Sequence, residues 1–166
     1  VHDYFFAKTL DKVRPGGIVA FITSKGTLDK ANPSVRKYIS QRAELLGAVR
    51  LPNTAFKSYA GTEVTSDIIF LQKRERMIDI APEWVYTEAD GNGFACNRYF
   101  IDNPDMILGK TVEGNKLYGK GTMVIPFENS DLKEQLQKAV LKIKGEYGKE
   151  SAVIAVSYTH LRAHET

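Results

Sequence analysis

Cysteine occurs once in this 166-residue chain, as Cys96, which excludes an internal disulfide framework and suits a reducing cytoplasm. No neighbour in the sequence would activate its thiolate, so Cys96 reads as a small packed hydrophobe and not as a nucleophile. Histidine is almost as scarce, and His2 is the one outside the segment Ser157–Thr166. A Ser-His-Asp or Cys-His arrangement would have to use it. His160 and His164 have the spacing of two metal ligands on a helix face, but no third ligand accompanies them. Their segment, SYTHLRAHET, matches no pattern of the preceding chain, so residues 151–166 read as a non-native-looking tail. No apolar run approaches the roughly 20 residues a membrane-spanning helix needs, and no membrane contact is expected. The start lacks the order of a signal peptide. Neither GxxxxGK[ST] nor a GxGxxG turn after a strand is present; Gly119-Lys120-Gly121-Thr122 reads as a polar turn. The carboxylates are scattered, with no pair suited to acid–base work.

What is present belongs to an ordinary globular domain: 43% hydrophobic and 26% charged residues, with a net charge of +3 that permits nucleic-acid contact without demanding it. Residues 1–13 place Phe6, Leu10 and Val13 on one helical face. Pro15-Gly16-Gly17 stops that helix. Ile18 to Ile22 form a continuous apolar run of the kind found in strands covered on both faces, which favours a parallel sheet. Asn32-Pro33 opens a helix with Val35, Tyr38, Ile39 and Leu45 or Leu46 inward and Arg36, Lys37 and Arg42 outward. Beyond Gly47, AVRL makes a short strand, so strand, helix and strand read as a right-handed crossover. Ser66 to Gln72 supply a third strand. No helix fits before it, so it is expected to pair antiparallel with its predecessor. Trp84-Val85-Tyr86 is a short strand candidate, Gly121 to Phe127 another. Asp131 with Glu134 starts an amphipathic helix reaching about Lys144. The chain opens on Val1 already inside a helix-like pattern, and it reads as a fragment.

The residues best placed for chemistry lie in the loop Leu51–Thr65, between two strands at one end of the sheet. Phe56 beside Lys57 is the pairing used for base stacking with phosphate attraction. The competing reading folds Phe56 back as core. Lys25 follows the first strand at the same end and is a second candidate phosphate contact. Thr62 and Thr65 are equally well explained as hairpin residues.

The order helix, PGG-strand, Asn-Pro-capped helix, strand ending in Leu51-Pro52, loop with Phe56 and T-S-D-I-I-F-L strand resembles the second half of the adenine-N6 DNA methyltransferases of the NPP[YF] type. The resemblance covers residues 1–74. Residues 76–150 are less specifically similar to the segment after the methylase in large methylase–helicase proteins of mobile elements. It implies an α/β fold: the closing half of a Rossmann-like methyltransferase sheet, with parallel strands plus one antiparallel hairpin strand (residues 1–75), then a small α+β accessory segment (residues 76–150). It implies S-adenosylmethionine as cofactor of the intact protein, DNA as partner, and a helicase domain in the same parent chain. It assigns Phe56 to stacking on the extruded target base and leaves Lys25 and Lys57 as DNA contacts. The glycine-containing donor turn and the Asn-Pro-Pro-aromatic motif are not in these residues, so the fragment alone is expected to bind no cofactor and to be inactive. A methylase-like scaffold that only docks DNA is the alternative.

Overall fold

The computed structural model describes residues 2–56, 64–116, 119–147 and 152–156. Helix α1 (His2–Lys12) turns Phe6 and Leu10 into the core, where Phe5, Phe6 and Phe21 meet edge to face. Gly16, at φ +83°, reverses the chain as only glycine does readily. The turn is clipped to the sheet, with the Gly16 N–H donating to the Lys73 carbonyl at 2.8 Å.

Strand β1 (Ile18–Ser24) leads through a single turn, α2 (Gly26–Asp29), to α3 (Ser34–Arg42). Asn32 accepts a free amide hydrogen as expected, its Oδ1 taking the Ser34 N–H at 3.0 Å and the Ser34 hydroxyl at 2.8 Å, but Pro33 stands just before the helix and not at its first position. Two further helix expectations are corrected. Strand β2 (Ala43–Arg50) begins directly after α3, so Leu45 and Leu46 are strand residues beside a bulge that ends at Gly47. Arg36, expected outward, is only 1% exposed. Its guanidinium donates to three backbone carbonyls, of Val85 (2.6 Å), Thr27 (3.0 Å) and Lys30 (2.6 Å). Burial lowers its pKa from the ordinary value, and Asp29 opposes that shift.

Strand β3 (Ser66–Lys73) pairs antiparallel with β2, as expected, but also antiparallel with β1. It lies between them, in the order β2-β3-β1-β8, where β8 is Ala152–Val156. The Rossmann-like parallel sheet implied by the resemblance is therefore not what forms. Every ladder within β1-β3-β2 is antiparallel, and among the described strands the parallel pairing is that of β1 with β8. The reason is physical. A continuous apolar run reports burial on both faces and says nothing of the neighbour's direction, and β3 fills the gap between two strands that point the same way. Residues 152–156, placed with the tail on sequence grounds, are an edge strand of this sheet; the remainder of the tail, with His160 and His164, lies outside the described residues.

The next segment packs on the sheet and shares its core, through Trp84, Val85, Phe100, Met106, Leu108, Ala139 and Ile143. Glu83–Val85 is a 3-10 turn, not the expected strand, because Trp84 and Val85 both point into the core and alternation is lost. A small hairpin, β4 (Thr87–Ala89) and β5 (Ala95–Asn97), precedes helix α4 (Arg98–Asp102), whose cap is the Asn97 side chain accepting from the Tyr99 N–H. A second hairpin, β6 (Lys110–Lys116) and β7 (Gly119–Ile125), takes up Gly119–Thr122 as strand and not as a turn. Helix α5 (Leu132–Tyr147) starts at Asp131, whose carboxylate accepts from the Lys133 N–H at 3.0 Å. It crosses β2 at Gly47, where a Cβ would lie 2.8 Å from Ile143 Cδ1 and 3.0 Å from the Tyr99 hydroxyl. Among the described residues no helix is long and apolar enough to cross a membrane.

Candidate functional site

The ends of β1 and β2 and the start of β3 meet at one edge of the sheet, with Ser24 opposite Ser66 and Arg50 opposite Asp67. Arg50 closes β2 and is 2% exposed. Its Nε and Nη2 donate to the two oxygens of Asp67 at 2.8 and 2.9 Å. Nη1 and Nη2 donate to the two oxygens of Asp29 at 2.9 Å each. One guanidinium thus grips two buried carboxylates in fork geometry, above the Phe100 ring at 4.4 Å. Burial works against its charge, but attraction and hydrogen bonds from Asp67 and Asp29 outweigh that and hold its pKa above the usual value. Asp29 Oδ1 also accepts from the Asn97 N–H at 3.0 Å, and Asn97 Nδ2 donates to the carbonyls of Leu28 and Trp84. The cluster therefore ties α2, β2, β3 and the Trp84–Asn97 segment together. Cys96 lies beside it, buried, its thiol pushed up to about 11 by burial first and by Asp29 next.

This arrangement leaves nothing for a ligand to take from Arg50, Asp29 or Asp67. It is a pedestal, and the loop after β2 stands on it. The Leu51 N–H donates to Ser66 at 2.9 Å and the Asn53 N–H to Val124 at 2.7 Å, while Thr65 Oγ1 accepts from the Val124 N–H at 3.0 Å. Both roots of the loop are thus fixed to strand β7. Asn53 Oδ1 and the Ser66 hydroxyl, one at each root, are buried and have no hydrogen-bond partner among the described residues.

The sequence-designated residues fare differently. Phe56 sits at the end of a turn whose Ala55 N–H donates to Pro52 at 3.0 Å; it is half-buried and leans on the core. The reading that folds Phe56 back as core is thus met in part. Lys25 is not a free cation at the sheet edge. Its side chain is 13% exposed and lies 3.7 Å from Asp29, so its charge is largely spent inside the pedestal. Lys57 and Thr62 lie outside the described residues. Sequence reasoning missed Arg50, Asp29 and Asp67, although an Arg closing one apolar strand and an Asp opening the next were visible signals. Among the described residues no group of three or more His, Cys, Asp or Glu is arranged to hold a metal ion.

One known protein shares sequence with this chain in a telling context. Over 71 residues the chain is 35% identical to the "Defense against restriction protein B" of Escherichia phage P1. The alignment takes in 42% of this chain and spans 3% of the length of the phage protein. No family model and no solved structure matches.

Proposed function

We propose that this chain is part of a larger phage-type protein that modifies DNA, and that it supplies the target-base side of an S-adenosylmethionine-dependent adenine-N6 methyltransferase. The observation that carries the reading is the similarity to a phage protein named for defence against restriction, since methylation of a base is a direct chemical means of making DNA resistant to cleavage. The reading does not borrow a parallel sheet. It rests on one aromatic ring, Phe56, half-open on a loop whose roots are fixed by the Arg50 pedestal and by β7. A base must leave the duplex stack before its amino group can be reached, at a cost of about a few kcal/mol. Stacking on an aromatic returns roughly 1–3 kcal/mol, enough to hold it out.

The residues described here do not fit the nucleoside cofactor itself. The two buried carboxylates at the strand ends, Asp29 and Asp67, are both engaged by Arg50, so neither is free to take ribose hydroxyls. The donor pocket and the clamp for the adenine amino group belong to other parts of the parent, as does any helicase domain. The parent acts in the cytoplasm, where a lone unpaired Cys96 is stable.

The test uses the longer parent protein and transfer of a labelled methyl group from S-adenosylmethionine to DNA. Phe56→Ala is expected to lower kcat/KM for DNA about tenfold, with cofactor affinity unchanged. Equal activity of the two proteins removes Phe56 from the site. A parent that binds DNA and transfers no methyl group is a docking scaffold, and the enzymatic reading fails.

A further inference from the structure

A groove of about 390 Å3 runs between α1 and α3, lined by Tyr4, Ala7, Ser34, Val35 and Tyr38. None of these residues belongs to the pedestal or to the loop that carries Phe56. The groove is unusual in how its aromatics are dressed. Tyr4, 69% exposed, has Lys8 Nζ at 5.9 Å from its ring centre. Tyr38 carries the Arg42 guanidinium at 3.6 Å; Tyr86, 46% exposed and not part of the groove lining, has Lys37 Nζ at 5.9 Å from its ring centre. Among the described residues Lys8, Lys37 and Arg42 are paired with no carboxylate. Lys30 to Ala43 holds Lys30, Arg36, Lys37 and Arg42 and not one Asp or Glu. Arg36 is buried on carbonyls, so the charge offered to solvent comes from the other three. Helix α1 balances Lys8 and Lys12 against Asp3 and Asp11, which leaves α3 as the source of the positive potential.

We propose that the α1–α3 groove binds single-stranded nucleic acid, with a base against the exposed Tyr4 and the phosphate chain along Lys8, Lys37 and Arg42. The chemistry fits that occupant better than a protein or a duplex. A base offers a flat face to the exposed Tyr4 ring whatever its sequence, Tyr38 lines the groove half-buried with Arg42 on its face, and each ring has a cation within reach of the adjoining phosphate. A duplex hides its faces, and an apolar peptide would leave three cations without a counter-charge. This site goes beyond the Phe56 reading and does not depend on it.

The test measures fluorescence anisotropy of a short, labelled, mixed-sequence deoxyoligonucleotide titrated with the 166-residue chain. Binding is expected, with log affinity falling against log salt at a slope of about −2, as three phosphate contacts require. Tyr4→Ala, at an exposed position that should leave folding intact, is expected to weaken binding about tenfold. Lys37→Ala is expected to reduce the slope by about 0.7. Absence of binding, or binding indifferent to Tyr4→Ala and Lys37→Ala, overturns the proposal. So does binding abolished by Phe56→Ala alone, which would place the strand at the sheet end and leave the methyltransferase reading standing. A dimer of the chain that Tyr4→Ala dissociates would identify a second copy as the occupant and also overturn it.

Discussion

Replacing Arg50 with methionine tests the pedestal directly. The substitution keeps an apolar stem over Phe100 and removes the one cation between Asp29 and Asp67, two carboxylates that are 9% and 0% exposed. Water cannot screen what remains. Breaking a buried pair from one side costs about 3–5 kcal/mol, against a total stability of about 5–15 kcal/mol for a domain. With a urea dependence of about 2 kcal/mol per molar, the unfolding midpoint should fall by about 2 M. The triple variant Asp29→Asn, Arg50→Met, Asp67→Asn strands no carboxylate, leaves only Lys25 without its partner, and should recover part of that loss. Arg50→Lys keeps the charge without the double fork, and should fall between wild type and Arg50→Met if the latter does not fold. The assay is urea unfolding followed by far-ultraviolet circular dichroism. A midpoint shift below about 0.5 M for Arg50→Met, the value of a solvent-exposed pair, would refute the pedestal.

Arg36→Met should destabilise by at least about 2 kcal/mol, because three carbonyls lose a charged donor together; the same urea titration reads it. Gly47→Ala should cost about 1–3 kcal/mol by pushing Ile143 and Tyr99 away from β2, and a thermal melt will show it. Cys96 has a folded-state pKa of about 11 against an ordinary value of 9.0, so the unfolded chain loses its thiol proton first as pH rises. Stability should therefore decline through the window from pH 9.0 to about 11, and Cys96→Ala should flatten that part of the profile.

Local signals in the sequence carried well where the cause is local. The Asn32 cap, the Gly16 turn, the Asp131 helix start and the apolar runs of β1 and β3 were all legible, because each depends on neighbours a few residues away. What depended on partners far along the chain was not. Arg36 sits on a helix position that periodicity assigns to solvent, and the Val85 carbonyl, 49 residues on, joins those of Thr27 and Lys30 in satisfying it once buried. Arg50 meets Asp67 at 17 residues' separation and Asp29 at 21, and only the strand register brings the three together. The position of β3 was hidden for the same reason: an apolar strand advertises two covered faces but not its neighbours. Strand β6, KTVEGNK, escaped notice because a polar two-stranded ribbon has little apolar alternation to show. The contacts that fix the roots of the loop carrying Phe56 were hidden for the same reason, since Asn53 and Thr65 meet Val124 far along the chain.

The two flanks of the main sheet are not alike. On the β2 side, Arg50 bridges to Ile107 and the Leu108 N–H donates to the Arg50 carbonyl at 2.9 Å, so the Arg50 end of that margin is met by the chain itself. On the other side β8, AVIAV, ends the sheet among the described residues with no charge, proline or bulge along it. Unguarded margins of that composition recruit further strands, and this one has a template for the same direction of travel as β1. Among the described residues β8 has no partner beyond β1, so strand addition there is the expected route by which copies of this sheet would join.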